Sequence, residues 1–230
     1  PDRLKPHWDR KVTKRCVMTI PYNAKPFSNR SYIRDAFKEK GVDVTKEELT
    51  QCVTAVRAAM NVVVPGAMNV MKWIETEIAR AIKSGAPEIR WTTPSGFIVK
   101  QRLMKTAKST IESQLMGRVK ISISGAETGV DLKHHKNATA PNLIHSLDAS
   151  LLHIAMTDVD FPIALIHDSV LCRATDMCTL STLVRKTYMS LFAEHEPLTD
   201  FALAIGAEEL PPIIGDLKPE AVIDSQYFFC

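Results

Sequence analysis

A chain of 230 residues can bury a real core in one or two domains. Hydrophobic residues make up 45% and charged residues 24%, with a formal net charge of +3. That is ordinary globular composition, and no apolar run reaches the roughly 18 residues that a membrane-spanning helix needs. The five cysteines are scattered, odd in number and without a CxxC pair. This argues against a disulfide framework or a zinc site and for a reducing compartment. The chain begins at Pro1 and shows no secretory leader, which reads as a trimmed N-terminus.

Charge is unevenly spread. Residues 1–40 carry 11 Lys/Arg against 4 Asp/Glu, a net +7, and residues 91–145 carry 8 against 3, a net +5. Residues 193–224 carry 1 against 8, a net −7. Two basic zones and an acidic tail suit a polyanionic partner, and equally a solvated surface that segregates charge.

In chain order, residues 8–22 read as a basic helix entered after Pro6, and residues 28–40 as an amphipathic helix ended by Gly41. Residues 45–63 open with Thr45 and Glu48, a capping-box signature. Val64-Pro65-Gly66 breaks the chain, and residues 67–83 form the next helix. Residues 89–93 and 97–103 flank Pro94-Ser95-Gly96 and predict a hairpin. Residues 118–123 alternate like a strand, and residues 126–140 read as a polar loop. Residues 142–157 read as a helix. Residues 163–167 and 170–173 are apolar strands around Asp168-Ser169. Residues 176–194 form a helix capped by Asp176. The class is α+β: mostly helical, with a β-hairpin insertion, then helix–hairpin–helix.

Three segments carry chemistry. In residues 10–23 (RKVTKRCVMTIPYN), Arg10, Lys14, Met18 and Tyr22 recur every four residues and make one slowly winding helical stripe. Two cations a turn apart can hold a triphosphate, one as a planar fork and one as a point charge. Pro21 should bend or end this helix, and Asn23, tolerant of left-handed geometry, could terminate it just past Tyr22. The same stripe also suits a surface helix with Met and Tyr turned inward. In residues 164–172 (ALIHDSVLC), an Asp at a hairpin tip can ligate Mg²⁺, which prefers carboxylate oxygen and keeps positions for phosphates. Asp-Ser also makes a good turn. In residues 140–150 (APNLIHSLDAS), Asn142 and His145 stand at the start of a helix with Asp148 near its first turn. Capping by Asn142 or Ser146 is the alternative there.

Together and in this order, R-x3-K-x3-M-T-x2-Y, PN-x2-HS-x-D and LIHDS resemble the single-subunit DNA-directed RNA polymerases of phages and mitochondria. The resemblance runs over nearly the whole chain and includes WTTPSGF (91–97) and Asn69-x3-Trp73. It implies a fingers domain over 1–145, with a nucleotide-binding helix at about 8–22 and a promoter-reading hairpin at about 91–125. The C-terminal part of a palm would follow over 146–230, with the His-Asp hairpin, and Phe229-Cys230 would be a C-terminal foot. Arg10 and Lys14 would hold the triphosphate, with Met18 beside the nucleotide. Tyr22 would help choose ribose over deoxyribose, and His145 would contact the 2′-hydroxyl. Asp168, flanked by His167, would be a catalytic metal ligand. Arg15, Arg118 and Lys120 would contact nucleic acid. Mg²⁺ is the implied cofactor. DNA template and promoter, RNA product, ribonucleoside triphosphates and the remaining N-terminal polymerase portion are the implied partners, with no membrane. The implied location is the cytoplasm of an infected bacterium, or alternatively a mitochondrion. The family's first catalytic Asp precedes the nucleotide-binding helix and has no counterpart here, and Asp148 is given no metal role. A family A DNA polymerase fragment is the nearest alternative, disfavoured by Met18, Ser169 and His145. A catalytically silent nucleic-acid-binding module is the other.

Overall fold

The computed structural model describes all residues except Leu115, Met116, Arg118, Ile213, Ile214, Phe229 and Cys230, together with the side chain of Ser113. The expected roles of Arg118 and of the Phe229-Cys230 foot therefore lie outside the described residues. Seven α-helices and three two-stranded antiparallel hairpins make up the described architecture, so the α+β expectation holds at that level.

The N-terminal half is four helices. A 3-10 turn over Asp2–His7 leads to α1 (Arg10–Met18). Its N-cap is Asp9, whose carboxylate accepts from the backbone N–H groups of Lys11 and Val12. Helix α2 (Pro26–Glu39) ends before Gly41, which takes φ +70°. Helix α3 (Lys46–Val63) begins with the full capping box: Thr45 Oγ1 accepts from the Glu48 N–H, and the Glu48 carboxylate accepts from the Thr45 N–H. Arg3 also pairs with Glu48, and these contacts hold the Glu48 carboxyl down to about 2. Helix α4 (Pro65–Lys83) turns away from α3 by 101° at Val64, where Pro65 restarts the helix at its first position. No single helix among the described residues is long and apolar enough to cross a membrane.

Strands β1 (Ile89–Thr92) and β2 (Ile98–Gln101) form the first hairpin around Pro94-Ser95-Gly96. A longer hairpin follows, β3 (Met104–Ser113) with β4 (Val119–Val130). Helix α5 (Leu132–Thr157) then runs 26 residues with Pro141 inside it. The expected polar loop at 126–140 is thus the end of β4 and the first turns of α5. Polarity misleads here because both strands of the ribbon stand largely in solvent and need no apolar face. Pro141 is tolerated mid-helix because Thr139, Ala140 and Leu143 around it are buried, and tertiary packing offsets one missing hydrogen bond.

Strands β5 (Ile163–Ile166) and β6 (Ser169–Cys172) pair Ile166 with Ser169. The two-residue turn is therefore His167-Asp168, and Ser169 belongs to the strand. Helix α6 (Met177–Glu194) follows, but Asp176 does not cap it. Its carboxylate instead accepts from Arg173 Nε at 2.7 Å. The tail contains a further helix, α7 (Pro197–Ile205), closed by Gly206 in left-handed conformation.

Two apolar clusters hold these elements. The larger joins α1–α4, the first hairpin, Ala140 and Leu143 of α5, and Phe201 and Ala202 of α7. Phe201 meets Trp73 and Trp91 edge-on, so α7 returns across the chain to close this core. The smaller cluster gathers Ala155, Leu180 and Val184, with Val170, Cys172 and Phe228 against it. Helix α5 enters both clusters and crosses the expected 145/146 division as one continuous rod.

A buried polar knot fixes α5 to the first hairpin. His135 has no exposed surface, and its two ring nitrogens meet the Leu103 N–H at 3.2 Å and the Gln101 carboxamide at 3.1 Å. Gln101 also bonds Thr139 and Asn142. Burial lowers the His135 pKa from 6.5, because the dry site solvates a charged imidazolium poorly, and the nearby His134 adds to this. With the folded pKa below the unfolded one, the stability that neutral His135 supplies is complete above 6.5 and is lost as pH falls through the folded value. Urea melts should show this loss in the wild type, and His135→Gln should remove that portion of the acid-side slope.

Candidate functional site

The stripe Arg10–Lys14–Met18 is realised on α1, and all three side chains are exposed. The expected helix over 8–22 is shorter at both ends. Pro21 has no N–H for the carbonyl of Val17, so the last turns tighten: Ile20 N–H reaches Val17 O and Asn23 N–H reaches Ile20 O. Asn23 then takes φ +57°, as its side chain allows. Tyr22 therefore leaves the helical stripe and sits in the turn behind it.

That turn aims Tyr22 at α5. Its ring stacks on the His145 imidazole, with centroids 4.8 Å apart and planes 15° from parallel. His145 stands in the middle of α5 rather than at a helix start. Asn142 and Ser146, weighed as caps, are used otherwise. Asn142 Nδ2 donates to Gln101 Oε1, while Ser146 accepts from Trp91 Nε1 and donates to Leu143 O.

The cations of α1 divide into engaged and free ones. Lys11 pairs with Glu39 at 2.8 Å, and Arg15 lies over the Tyr32 ring at 4.9 Å. Lys40 reaches Asp9 at 2.7 Å. Arg10 and Lys14 have no side-chain partner among the described residues. Lys14 and Met18 line a cleft of about 350 Å³ with Lys11, Arg15, Tyr32, Ala36 and Glu39. Lys120, on the long hairpin, pairs with Glu112 at 2.9 Å.

One turn beyond His145, α5 presents Asp148. Though its surface is exposed, the atoms crowding one side of its carboxyl push its pKa above the ordinary 3.8; His145 opposes this and the nearby charge of Asp168 adds to it. Asp168 is exposed in the β5–β6 turn, where His167 adopts φ +56°. A two-residue hairpin turn with a positive φ first residue ordinarily takes Gly there, so His167 is held at a cost of about 1–2 kcal/mol. Across the strands, Ala164, Ile166, Ser169 and Leu171 share one face, and all four are exposed, while Val170 and Cys172 on the other face rest on the smaller core.

The structure thus brings Tyr22 onto His145, with Asp148 one turn further along α5 and near enough to Asp168 for their charges to interact. Among the described residues no three His, Cys, Asp or Glu side chains cluster tightly enough for a self-contained metal site. An exposed turn carboxylate such as Asp168 has the chemistry of an Mg²⁺ ligand, since that ion binds through one or two carboxylates and fills its sphere with water and phosphate. Sequence reasoning quoted Asp148 without a role, and it missed Glu75 of α4, which bonds Asn23. No local signal marks Glu75, because its partner lies 52 residues away.

A family model described as DNA-dependent RNA polymerase matches residues 2–208. The chain belongs to that family, as its resemblance to the single-subunit phage and organellar polymerases implied. It is 28% identical over 236 residues to the DNA-directed RNA polymerase of Pseudomonas phage phiKMV, covering 97% of this chain and 29% of that protein. It is 30% identical over 235 residues to DNA-directed RNA polymerase 2, chloroplastic/mitochondrial, of Arabidopsis thaliana, covering 96% and 23%. Against DNA-directed RNA polymerase 2A of Nicotiana tabacum, also at 30%, the coverage is 96% and 69%. The chain therefore spans about a quarter of the length of the phage and Arabidopsis relatives.

The Asp148–Asp168 coupling can be measured. Asp168→Asn should lower the Asp148 pKa, followed by ¹³C carboxyl titration. An unmoved titration curve would place the two carboxylates too far apart to share a ligand.

Proposed function

We propose that this chain forms the nucleotide-selecting side and one metal-binding edge of a template-dependent RNA polymerase. The observation that carries this is the Tyr22–His145 stack, which joins the segments 10–23 and 140–150 across 123 residues of sequence. Fingers would comprise the helical part with the long hairpin, and the C-terminal palm the part around β5–β6.

An incoming ribonucleoside triphosphate lies along α1. Arg10 and Lys14, without side-chain partners among the described residues, neutralise its phosphates, Arg10 as a fork and Lys14 as a point charge. Met18 packs beside the nucleotide. The polar edges of Tyr22 and His145 meet the ribose 2′-hydroxyl. A deoxyribose leaves those groups unpaired, and an unpaired polar group in an excluded site is costly. Asp168 would hold Mg²⁺, which when bound would supply electrostatic stabilisation to the reacting phosphate. His167 flanks that carboxylate. Lys14 gives a proton to the departing pyrophosphate. Arg15 and Lys120, with Arg118, contact template or promoter DNA.

The carboxylate that completes a two-metal centre comes from a polymerase portion N-terminal to α1. The bare apolar face at Ile166 and Leu171 is where that portion would pack. The phage and organellar relatives match the two candidate locations, and we favour the cytoplasm of an infected bacterium.

Primer extension with Mg²⁺ and rNTPs tests the reading, first with this chain alone and then with the N-terminal portion added. Activity only on addition supports it. Activity of this chain alone would make Asp148 the next residue to mutate and would overturn the outside carboxylate. Complementation that restores a folded complex without nucleotide addition would sink the polymerase reading. In the active enzyme, Lys14→Ala should lower incorporation by about a hundredfold or more, as loss of one fixed charge donor does at such sites. Tyr22→Phe should lower the rNTP/dNTP ratio of kcat/KM by about tenfold, the scale of one lost hydrogen bond.

A further inference from the structure

Tyr22 sits on a turn, and a turn holds an aromatic ring in one place only if something holds the turn. Beyond Thr19 the backbone leaves the helix and is held by turn bonds, Tyr22 N–H and Ala24 N–H to Thr19 O and Asn23 N–H to Ile20 O, with Asn23 in the sparsely populated left-handed region. The Asn23 side chain is almost fully used. Its Nδ2 donates to Glu75 Oε1 at 2.6 Å and, more weakly, to the Lys136 carbonyl at 3.4 Å; its Oδ1 accepts from Lys25 Nζ at 3.0 Å. Lys25 closes the ring by pairing with the same Glu75 oxygen. Glu75 belongs to α4 and Lys136 to α5, the helix that carries His145 nine residues on. One carboxamide thus clasps the Tyr22 turn to both helices behind it.

The geometry points to Glu75 as a positioning residue for sugar selection: through Asn23 and Lys25 it fixes the turn that keeps Tyr22 face to face with His145. The assignment rests on the reading that these two rings meet the ribose. It adds a residue that touches neither nucleotide nor metal. Glu75 is mostly shielded from water, with a side chain 22% exposed, so its hydrogen bond to Asn23 is little screened. Without it, Asn23 loses its short side-chain bond and Lys25 its counter-charge; the turn keeps its backbone bonds and the Arg57 contact to the Ala24 carbonyl, but of the Asn23 clasp only the long contact to Lys136 remains. Tyr22 then samples orientations in which its ring no longer stacks on the imidazole. A selector that must hold two polar edges against one hydroxyl loses selectivity before it loses binding.

Three substitutions separate the possibilities. Glu75→Ala removes acceptor and charge. Glu75→Gln keeps an acceptor for Asn23. Asn23→Gly removes the clasp while suiting φ +57° better than Asn does, so the turn can still form. The first readout needs no activity: the His145 Hε1 resonance of the 230-residue chain, shifted by the Tyr22 ring current, with Tyr22→Leu as the unstacked reference. Glu75→Ala and Asn23→Gly should move it toward that reference, and Glu75→Gln should leave it near the wild type. The second readout is the rNTP/dNTP ratio in primer extension by the complemented polymerase. It should fall several-fold for Glu75→Ala and Asn23→Gly, through a lower apparent KM for dNTPs, and be largely restored in Glu75→Gln. An unmoved His145 resonance in a folded Glu75→Ala or Asn23→Gly chain overturns the clasp. A moved resonance with an unchanged ratio keeps the clasp but overturns the role of the Tyr22–His145 pair in sugar selection, and with it the role of Glu75.

Discussion

Pro21 cannot donate to the carbonyl of Val17, and that missing hydrogen bond decides where α1 stops. Had the helix continued, Tyr22 would have followed Met18 on the outward stripe, away from α5. The chain instead tightens through Ile20, reverses at Asn23 in the left-handed conformation and delivers Tyr22 onto His145. The cations stay on the helix and the aromatic ring leaves it. One segment therefore serves two walls of the proposed nucleotide site, a charged one along α1 and a stacked one against α5.

Helix α5 is the element against which everything else is placed. Its first turns are pinned by the His135–Gln101–Thr139–Asn142 knot, its middle carries His145 and Asp148, and its last turns pack under the β5–β6 hairpin. A rod that enters both apolar clusters transmits position along its length. The spacing between the Tyr22 wall and the Asp168 turn is thus set by helix rise rather than by loop conformation. The knot is buried and polar, so it is costly if left incomplete, and this favours one register of α5 against the first hairpin.

Engagement of charge is as informative as its presence. Six of the cations around α1 and the turn behind it are paired, stacked or hydrogen-bonded: Arg3, Lys11, Arg15, Lys25, Lys40 and Arg57. Arg10 and Lys14 are left exposed and without partners among the described residues, on the face that leads to Tyr22. Net charge in this zone says little, because most of it is internally compensated; Arg10 and Lys14, without partners among the described residues, carry the reading. At the other end, the face of the β5–β6 hairpin bearing Ile166 and Leu171 is apolar and open, an arrangement that burial against a further segment would relieve.

The sequence by itself determined the local features, because each rests on contacts a few residues apart. These include the Thr45/Glu48 capping box, the break at Val64-Pro65, the first hairpin around Pro94-Ser95-Gly96, the left-handed geometry at Asn23 and the Arg10–Lys14 stripe. It also determined the family, through the order and spacing of three short motifs, and the family match over residues 2–208 agrees. The tertiary structure alone decided the rest. It turned the polar stretch 126–140 into strand and helix, because solvent-facing ribbon strands and a helix held by buried His135 and Thr139 leave no apolar period to read. It used Asp176 for Arg173 rather than as a cap, and it folded α7 back onto Trp73 and Trp91. It set Asp148 near Asp168 and Glu75 against Asn23, meetings across 20 and 52 residues that no local pattern encodes. The physical reason is the same in each case: burial and hydrogen bonding between segments distant in sequence outweigh the small energies by which a short peptide prefers one conformation over another.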